Sequence, residues 1–249
     1  MKPSPVVLAV AAALVLAGVA GAGGLAYLFL RGAPPAAVSL DPGSSQPAAS
    51  LGALPSGAAS SIALAGLDGT WSVDTSIGSF SDFSSSWVGY RVDETLAGNR
   101  ANTAVGRTPD VSGTLALSGT QITSVEVTAS LQTLKSDDDR RDGQLRRQAI
   151  ETSQFPEATF KLTSPIELGA LPADGETFTA TATGELTLHG VTRTVEVPIE
   201  ARMSGDVVTV AGSIAIQFAD YDIERPTSFV VLSIEDHGVM EFQLHFRHQ

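Results

Sequence analysis

The 249-residue chain has no cysteine. That absence removes disulfides, thiolate nucleophiles, cysteine-ligated zinc, iron–sulfur clusters and thioether-linked lipid anchors at once. It leaves the compartment open, because a chain of this length can build a core without covalent staples. Basic side chains are scarce as well: 15 Lys and Arg stand against 27 Asp and Glu, giving a net charge of −12 and a pI near 4.6. Such a balance argues against any sequence-independent grip on nucleic-acid phosphates. Catalytic signatures are missing too, with no G-x-S-x-G elbow, P-loop, G-x-G-x-x-G turn or H-E-x-x-H helix. The reading is therefore of a protein that is not an enzyme and calls for no metal or cofactor.

What is present falls into two unlike parts. Residues 1–66 hold only Lys2, Arg31 and Asp41 as charged side chains, a net +1, which leaves −13 for the other 183 residues. After a short flank, 1–5, an uncharged apolar run occupies 6–30. As a helix it would extend about 37 Å, enough to cross a hydrocarbon core of about 30 Å with some tilt. The rival is a cleaved signal peptide ending at Ala20-Gly21-Ala22. Against cleavage, the run continues apolar through Leu25, Tyr27, Leu28, Phe29 and Leu30, so an uncleaved single-pass anchor is expected. Lys2 with the amino terminus then favours an extracytoplasmic C-terminal domain. Residues 31–66, with Pro34, Pro35, Pro42, Pro47 and Pro55 among Ala, Ser and Gly, have no apolar period and read as a disordered linker.

From 67 to 249 the pattern is that of strands. Alternation marks 125–131, 177–188 and 194–197, and β-branched residues dominate further runs at 86–92, 111–117, 159–163, 207–218, 229–234 and 239–246. Turn signals at Pro109-Asp110, Ser118-Gly119, Asp174-Gly175, His189-Gly190, Ser204-Gly205-Asp206 and His237-Gly238 separate them. Only Ser136 to Ile150 reads as helix, with Asp137, Asp138 and Asp139 at its start and Arg146 and Arg147 late. That acidic run does not fit a calcium loop, because Arg141 and Asp142 occupy the fifth and sixth positions. His245 and His248, three apart in a strand, point to opposite faces and do not suggest a shared metal. An antiparallel meander of eight or nine strands must close its edges as a barrel or a sandwich, and periodicity does not choose between them.

Several blocks in order resemble the YceI-like domain family. They are Trp71-Ser72-Val73-Asp74, Arg141-Asp142-Gly143-Gln144-Leu145-Arg146, Phe155-Pro156-Glu157-Ala158-Thr159-Phe160 and Gly184 through Arg193 (GELTLHGVTR). Phe218-Ala219-Asp220-Tyr221-Asp222-Ile223 and the closing strand 239–246 follow. Asp222 departs from the pattern by standing where the family more often has Gly.

The resemblance implies an all-β fold, an antiparallel eight-stranded lipocalin-like barrel with one short helix. It also implies an interior that holds an isoprenoid chain, such as a polyprenyl phosphate or isoprenoid quinone, in an exported setting. With the anchor, the expected function is a membrane-tethered carrier of an amphiphilic isoprenoid lipid. The alternative is an envelope interaction or adhesion domain with a filled core. Inward-facing candidates for the lining are Phe83, Trp87, Phe160, Phe178 and Leu186, with Leu188, Ile214, Ile216, Phe218 and Phe229. Arg141, Arg146, Arg147, His189 and Arg193 are the candidates for a polar head, although Asp142 with Arg146 also reads as an i, i+4 helix pair.

Overall fold

The structure is a computed structural model that describes residues 33–40, 67–226 and 231–249. The apolar run 6–30 and most of the linker, together with Phe229, lie outside the described residues. Among the described residues no helix is long and apolar enough to cross a membrane.

The chain order is β1 (Gly69–Val73), β2 (Trp87–Leu96), β3 (Arg100–Thr108), β4 (Val111–Ser118), β5 (Gln121–Ser130) and the two-residue β6 (Lys135–Ser136). A helix, α1 (Asp139–Gln144), continues as a π-helical turn over Leu145–Ala149. Then come β7 (Glu157–Leu162), β8 (Ile166–Glu167), β9 (Thr177–Leu188), β10 (Val191–Ser204), β11 (Val207–Gln217), a 3-10 turn (Phe218–Tyr221), β12 (Val231–Ile234) and β13 (His237–His248).

Strand order decides barrel over sandwich. The ladder runs β1-β4-β5-β7-β9-β10-β11-β13, and β13 pairs back onto β1 through Trp71↔His248 and Val73↔Phe246, so eight antiparallel strands close on themselves. Closure leaves this ring without a free edge. The first half of β13 pairs instead with β2, and the β2–β3 hairpin extends the wall beyond the ring.

Local chemistry explains the corners. His189 and Gly190 both adopt positive φ (51° and 76°), the pair of left-handed residues that a two-residue hairpin between twisted strands demands. Asp222 takes φ 52°, ψ 31° at the end of the 3-10 turn. This is the left-handed conformation that a glycine adopts without strain, and Asp tolerates it better than most residues. His237-Gly238 is not a turn but the start of β13, the reversal falling at Glu235-Asp236. At α1, the Asp138 side chain accepts from the backbone N–H of Arg140 and Arg141 and caps the helix.

Candidate functional site

The inward parity of the barrel strands is apolar, yet it does not fill the lumen. Ala129, Ala158, Ala182 and Ala201 supply short side chains, and two of the large rings are pressed against glycines. A Cβ on Gly184 would come within 2.5 Å of Phe160 Cζ, and one on Gly212 within 2.7 Å of Phe242 Cζ. Glycine at both positions lets the rings lie along the wall, which leaves open space at the centre.

Two apolar cavities result, of about 170 and 150 Å³. The first is walled by residues such as Trp71, Phe160, Phe178, Leu186, Phe242 and Phe246. The second lies beneath α1, with Tyr90, Leu134, Leu188, Ile216 and Phe218 among its walls. Val88, Ala158 and Met240 line both, so the two cavities meet at a common waist. An apolar chain is the ligand such a wall can hold, since nearly every atom it presents is carbon.

Polar groups on these walls are few and mostly engaged. Arg141 donates from Nη2 to Glu94 Oε1 at 2.8 Å and from Nη1 to Asp137 Oδ1 at 2.5 Å. Burial alone would lower its guanidinium pKa, but Glu94 overrides this and holds it above the ordinary value. Glu94 also accepts from Asn102 Nδ2 at 2.6 Å. The Tyr90 hydroxyl is buried with no hydrogen-bond partner among the described residues, and burial pushes its pKa well above the usual phenol range. In the first cavity the charged wall residue is Arg202, whose Nε and Nη2 donate to Thr177 Oγ1.

Outside the lumen, a polar groove of about 460 Å³ is formed by Arg147, Gln148, Glu151, His189, Asp222, Glu224 and Arg225. The His189 ring is 8 % exposed; Nδ1 lies 3.0 Å from Tyr221 O and Nε2 3.2 Å from Glu151 Oε2, with Phe155 edge-on. His189 is thus a turn residue and a tie between the hairpin, the 3-10 turn and the segment after the π turn.

The family model for the YceI-like domain matches residues 71–246. The chain belongs to the YceI-like domain family. It is 29% identical over 124 residues to the UPF0312 protein VPA0850 of Vibrio parahaemolyticus, an alignment that covers 46% of this chain and 62% of that relative. In structure it is similar to a polyisoprenoid binding domain from Saccharophagus degradans implicated in plant cell wall breakdown. The TM-score there is 0.56 at 20% identity, over 72% of this chain and 98% of that one. It is also similar to Burkholderia cenocepacia BcnA, with a TM-score of 0.50 at 19% identity over 70% and 98% of the two chains. At these identities the structural likeness speaks for the fold.

The YceI-like barrel distributes the sequence candidates unevenly. Phe160, Phe178 and Leu186 are on the wall of the first cavity, and Leu188, Ile216, Phe218 and Arg141 on that of the second. Ile214 packs into the apolar clusters around Ala182 and around Leu186 without reaching either cavity. Phe83 and Trp87, expected to face inward, do not line either cavity. In β2 it is Val88, Tyr90 and Val92 that face the lumen, and Trp87 lies on the outer face, 2 % exposed, with the Arg107 guanidinium 3.8 Å over its ring and 4.3 Å over that of Phe83. The segment between β1 and β2 covers this outer face, pinned by Gln243 Nε2 donating to Phe83 O and Ser85 O, and by Ser86 Oγ accepting from His245 N.

The polar candidates separate too. Arg147 and His189 line the outer groove, whereas Arg193 donates to Asp220 O at 2.9 Å and Arg146 to Leu134 O at 3.4 Å. Asp142 does not serve Arg146: its carboxylate accepts from the Ser136 N–H and Oγ, at 3.0 and 2.6 Å, which ties α1 to β6. The i, i+4 ion pair of this region is Arg141 with Asp137. Sequence reading passed over Tyr90, Phe242 and Phe246; the alternation Met240, Phe242, Leu244, Phe246 carried the signal for the last two.

Proposed function

We propose that this YceI-like domain binds an amphiphilic isoprenoid lipid in its lumen and carries or stores it beside a membrane to which residues 6–30 tether it. The observation that carries this is the pair of apolar cavities meeting at Val88, Ala158 and Met240, a hollow interior in an eight-stranded barrel narrow enough for side chains to fill. The similarity to a structure described as a polyisoprenoid binding domain supports the ligand class. The tether rests on the length and purity of the apolar run.

Of the two head groups, the walls favour the uncharged one. A phosphate needs cationic donors to replace its hydration. Arg141 is already held by Glu94 and Asp137, and the outer groove sets Arg147 and Arg225 among Glu151, Asp222 and Glu224. An isoprenoid quinone asks only for a neutral donor, and the Tyr90 hydroxyl on the wall of the second cavity is one.

Purification from the native host followed by solvent extraction and mass spectrometry tests the lipid reading. A consistently empty protein that also fails to take up added polyprenyl lipid would refute it in favour of an interaction domain. Three probes with one tail then separate the heads: menaquinone-4 should bind more tightly than geranylgeranyl phosphate, with geranylgeraniol between them.

A further inference from the structure

Residues 36–40 lie inside the span whose composition reads as linker, yet they are hydrogen-bonded to the barrel. Arg107 on β3 donates from Nη2 to Ala36 O at 3.1 Å. The Val38 N–H donates to Glu241 Oε2 on β13 at 3.4 Å, and the Leu40 N–H to Glu200 Oε2 on β10 at 2.7 Å, where Ser39 Oγ also donates at 3.2 Å. The sheet order β10-β11-β13-β2-β3 means that the segment crosses the strands over their outer face.

The seat is an ion-pair cluster on the outer wall. Glu241 is 1 % exposed although it points away from the lumen, and its Oε1 is taken by Arg107 at 2.8 Å and Arg91 at 3.5 Å. That leaves Oε2 turned to the segment. Three of these four contacts meet main-chain atoms, so recognition depends on the backbone of the segment more than on side-chain identity. Pro34-Pro35 just upstream restricts φ and favours an extended entry.

We infer that Ala36–Leu40 is a clasp that fixes the outer face of β3, β13 and β10 to the chain's own pre-domain segment. Residues 41–66 then join two points of one body and add nothing to the tether's reach. Between the end of the apolar run at Leu30 and the docked Ala36, only 31–35 remain, at most about 20 Å of extended chain. A free linker over 31–66 would span about 30–36 Å root-mean-square and let the domain tumble. The clasp shortens the free span to those five residues, whatever ligand the lumen takes, a consequence that rests on the membrane anchor proposed above.

The full-length chain tests this cleanly, because it has no native cysteine to compete with introduced labels. Nitroxides on Ala37→Cys and Ser81→Cys should give one narrow distance distribution. Leu40→Pro, which deletes a donor without altering the barrel, and Glu200→Ala, which deletes its acceptor, should each broaden it. By hydrogen exchange the Val38 and Leu40 amides should be slowed about tenfold or more, and Glu200→Ala should free the Leu40 amide while β10 stays protected. A broad distribution in the chain carrying only the labels, or a narrow one that neither variant changes, overturns the clasp.

Discussion

The two faces of β2 are both covered, but by opposite means. Inward, Val88, Tyr90 and Val92 look onto apolar space. Outward, Trp87 and Arg91 meet a dense layer in which Arg107 stacks on Trp87 and Phe83 and pairs with Glu241. An ordinary barrel packs its inside and wets its outside; this stretch of wall reverses that. Stability should therefore reside disproportionately on the outer face and ligand capacity on the inner one. The division is open to attack from either side.

The largest effect should come from Glu241. Changing it to Leu leaves Arg107, itself 4 % exposed, without its carboxylate. Removing one partner of a buried pair costs about 3–5 kcal/mol, or roughly 8–15 °C in Tm for a domain of this size. Thermal and urea denaturation should show that loss, with affinity for added lipid unchanged in the fraction still folded.

Next in size is a matched pair of truncations. Trp87→Ala should cost about 3–5 kcal/mol, because it opens a void in a filled layer. Phe160→Ala removes a ring that borders empty space and should cost less, about 1–3 kcal/mol, because part of its surface has no packing partner to lose. Denaturant midpoints decide this. Equal losses would mean that the inner wall is as tightly packed as the outer layer.

A third substitution acts on the inner face alone. Ala158 belongs to the waist shared by both cavities, and Ala158→Trp should fill it. Menaquinone-4 should bind at least about tenfold more weakly, some 1.4 kcal/mol, whereas a short probe such as geraniol that fits one cavity should be nearly unaffected. Fluorescence titration with both probes distinguishes a divided tunnel from a general loss of fold.

The same contrast explains what could be read from the sequence. β9 and β13 were legible because their inner faces are apolar and their outer faces largely polar, so period 2 shows directly; Thr177–Leu188 agrees with the observed β9 at both ends. β3, Arg100–Thr108, passed unnoticed. Its sequence RANTAVGRT offers few apolar residues, and what buries Arg107 is an ion pair with Glu241, 134 positions away. Trp87 was assigned to the lumen as an inward-facing residue of its strand, the opposite parity to the one observed. Nothing local reveals that the Ser-rich segment before β2 folds back over it. The hollow interior was legible only through family resemblance, since the role of Gly184 and Gly212 depends on which rings lie across the sheet. The segment 36–40 was read as linker because its composition is apolar and small, and its partners Glu200 and Glu241 looked like ordinary outward acids.

The smallest effect, and the most specific to the outer layer, concerns Asp74, where the covering segment leaves β1. Its carboxylate accepts from Ser76 Oγ and N–H at 2.6 and 2.8 Å and from Arg247 Nε at 2.9 Å, and these bonds lower its pKa from 3.8 to about 2. A carboxyl whose folded-state pKa lies below its unfolded value stabilises the fold above the unfolded value, here near pH 4, and loses that contribution as pH falls through about 2. Arg247 is exposed to solvent, so screening keeps the gain small. Asp74→Asn should therefore lower Tm slightly at pH 6, and the gap from the unsubstituted protein should close as both are taken from pH 4 to pH 2. Because the covering segment is also pinned by Gln243 and His245, lipid affinity should not follow this titration. A Tm gap that stays constant to pH 2 would mean that Asp74 contributes through its shape and not its charge, and that the outer layer is anchored without it.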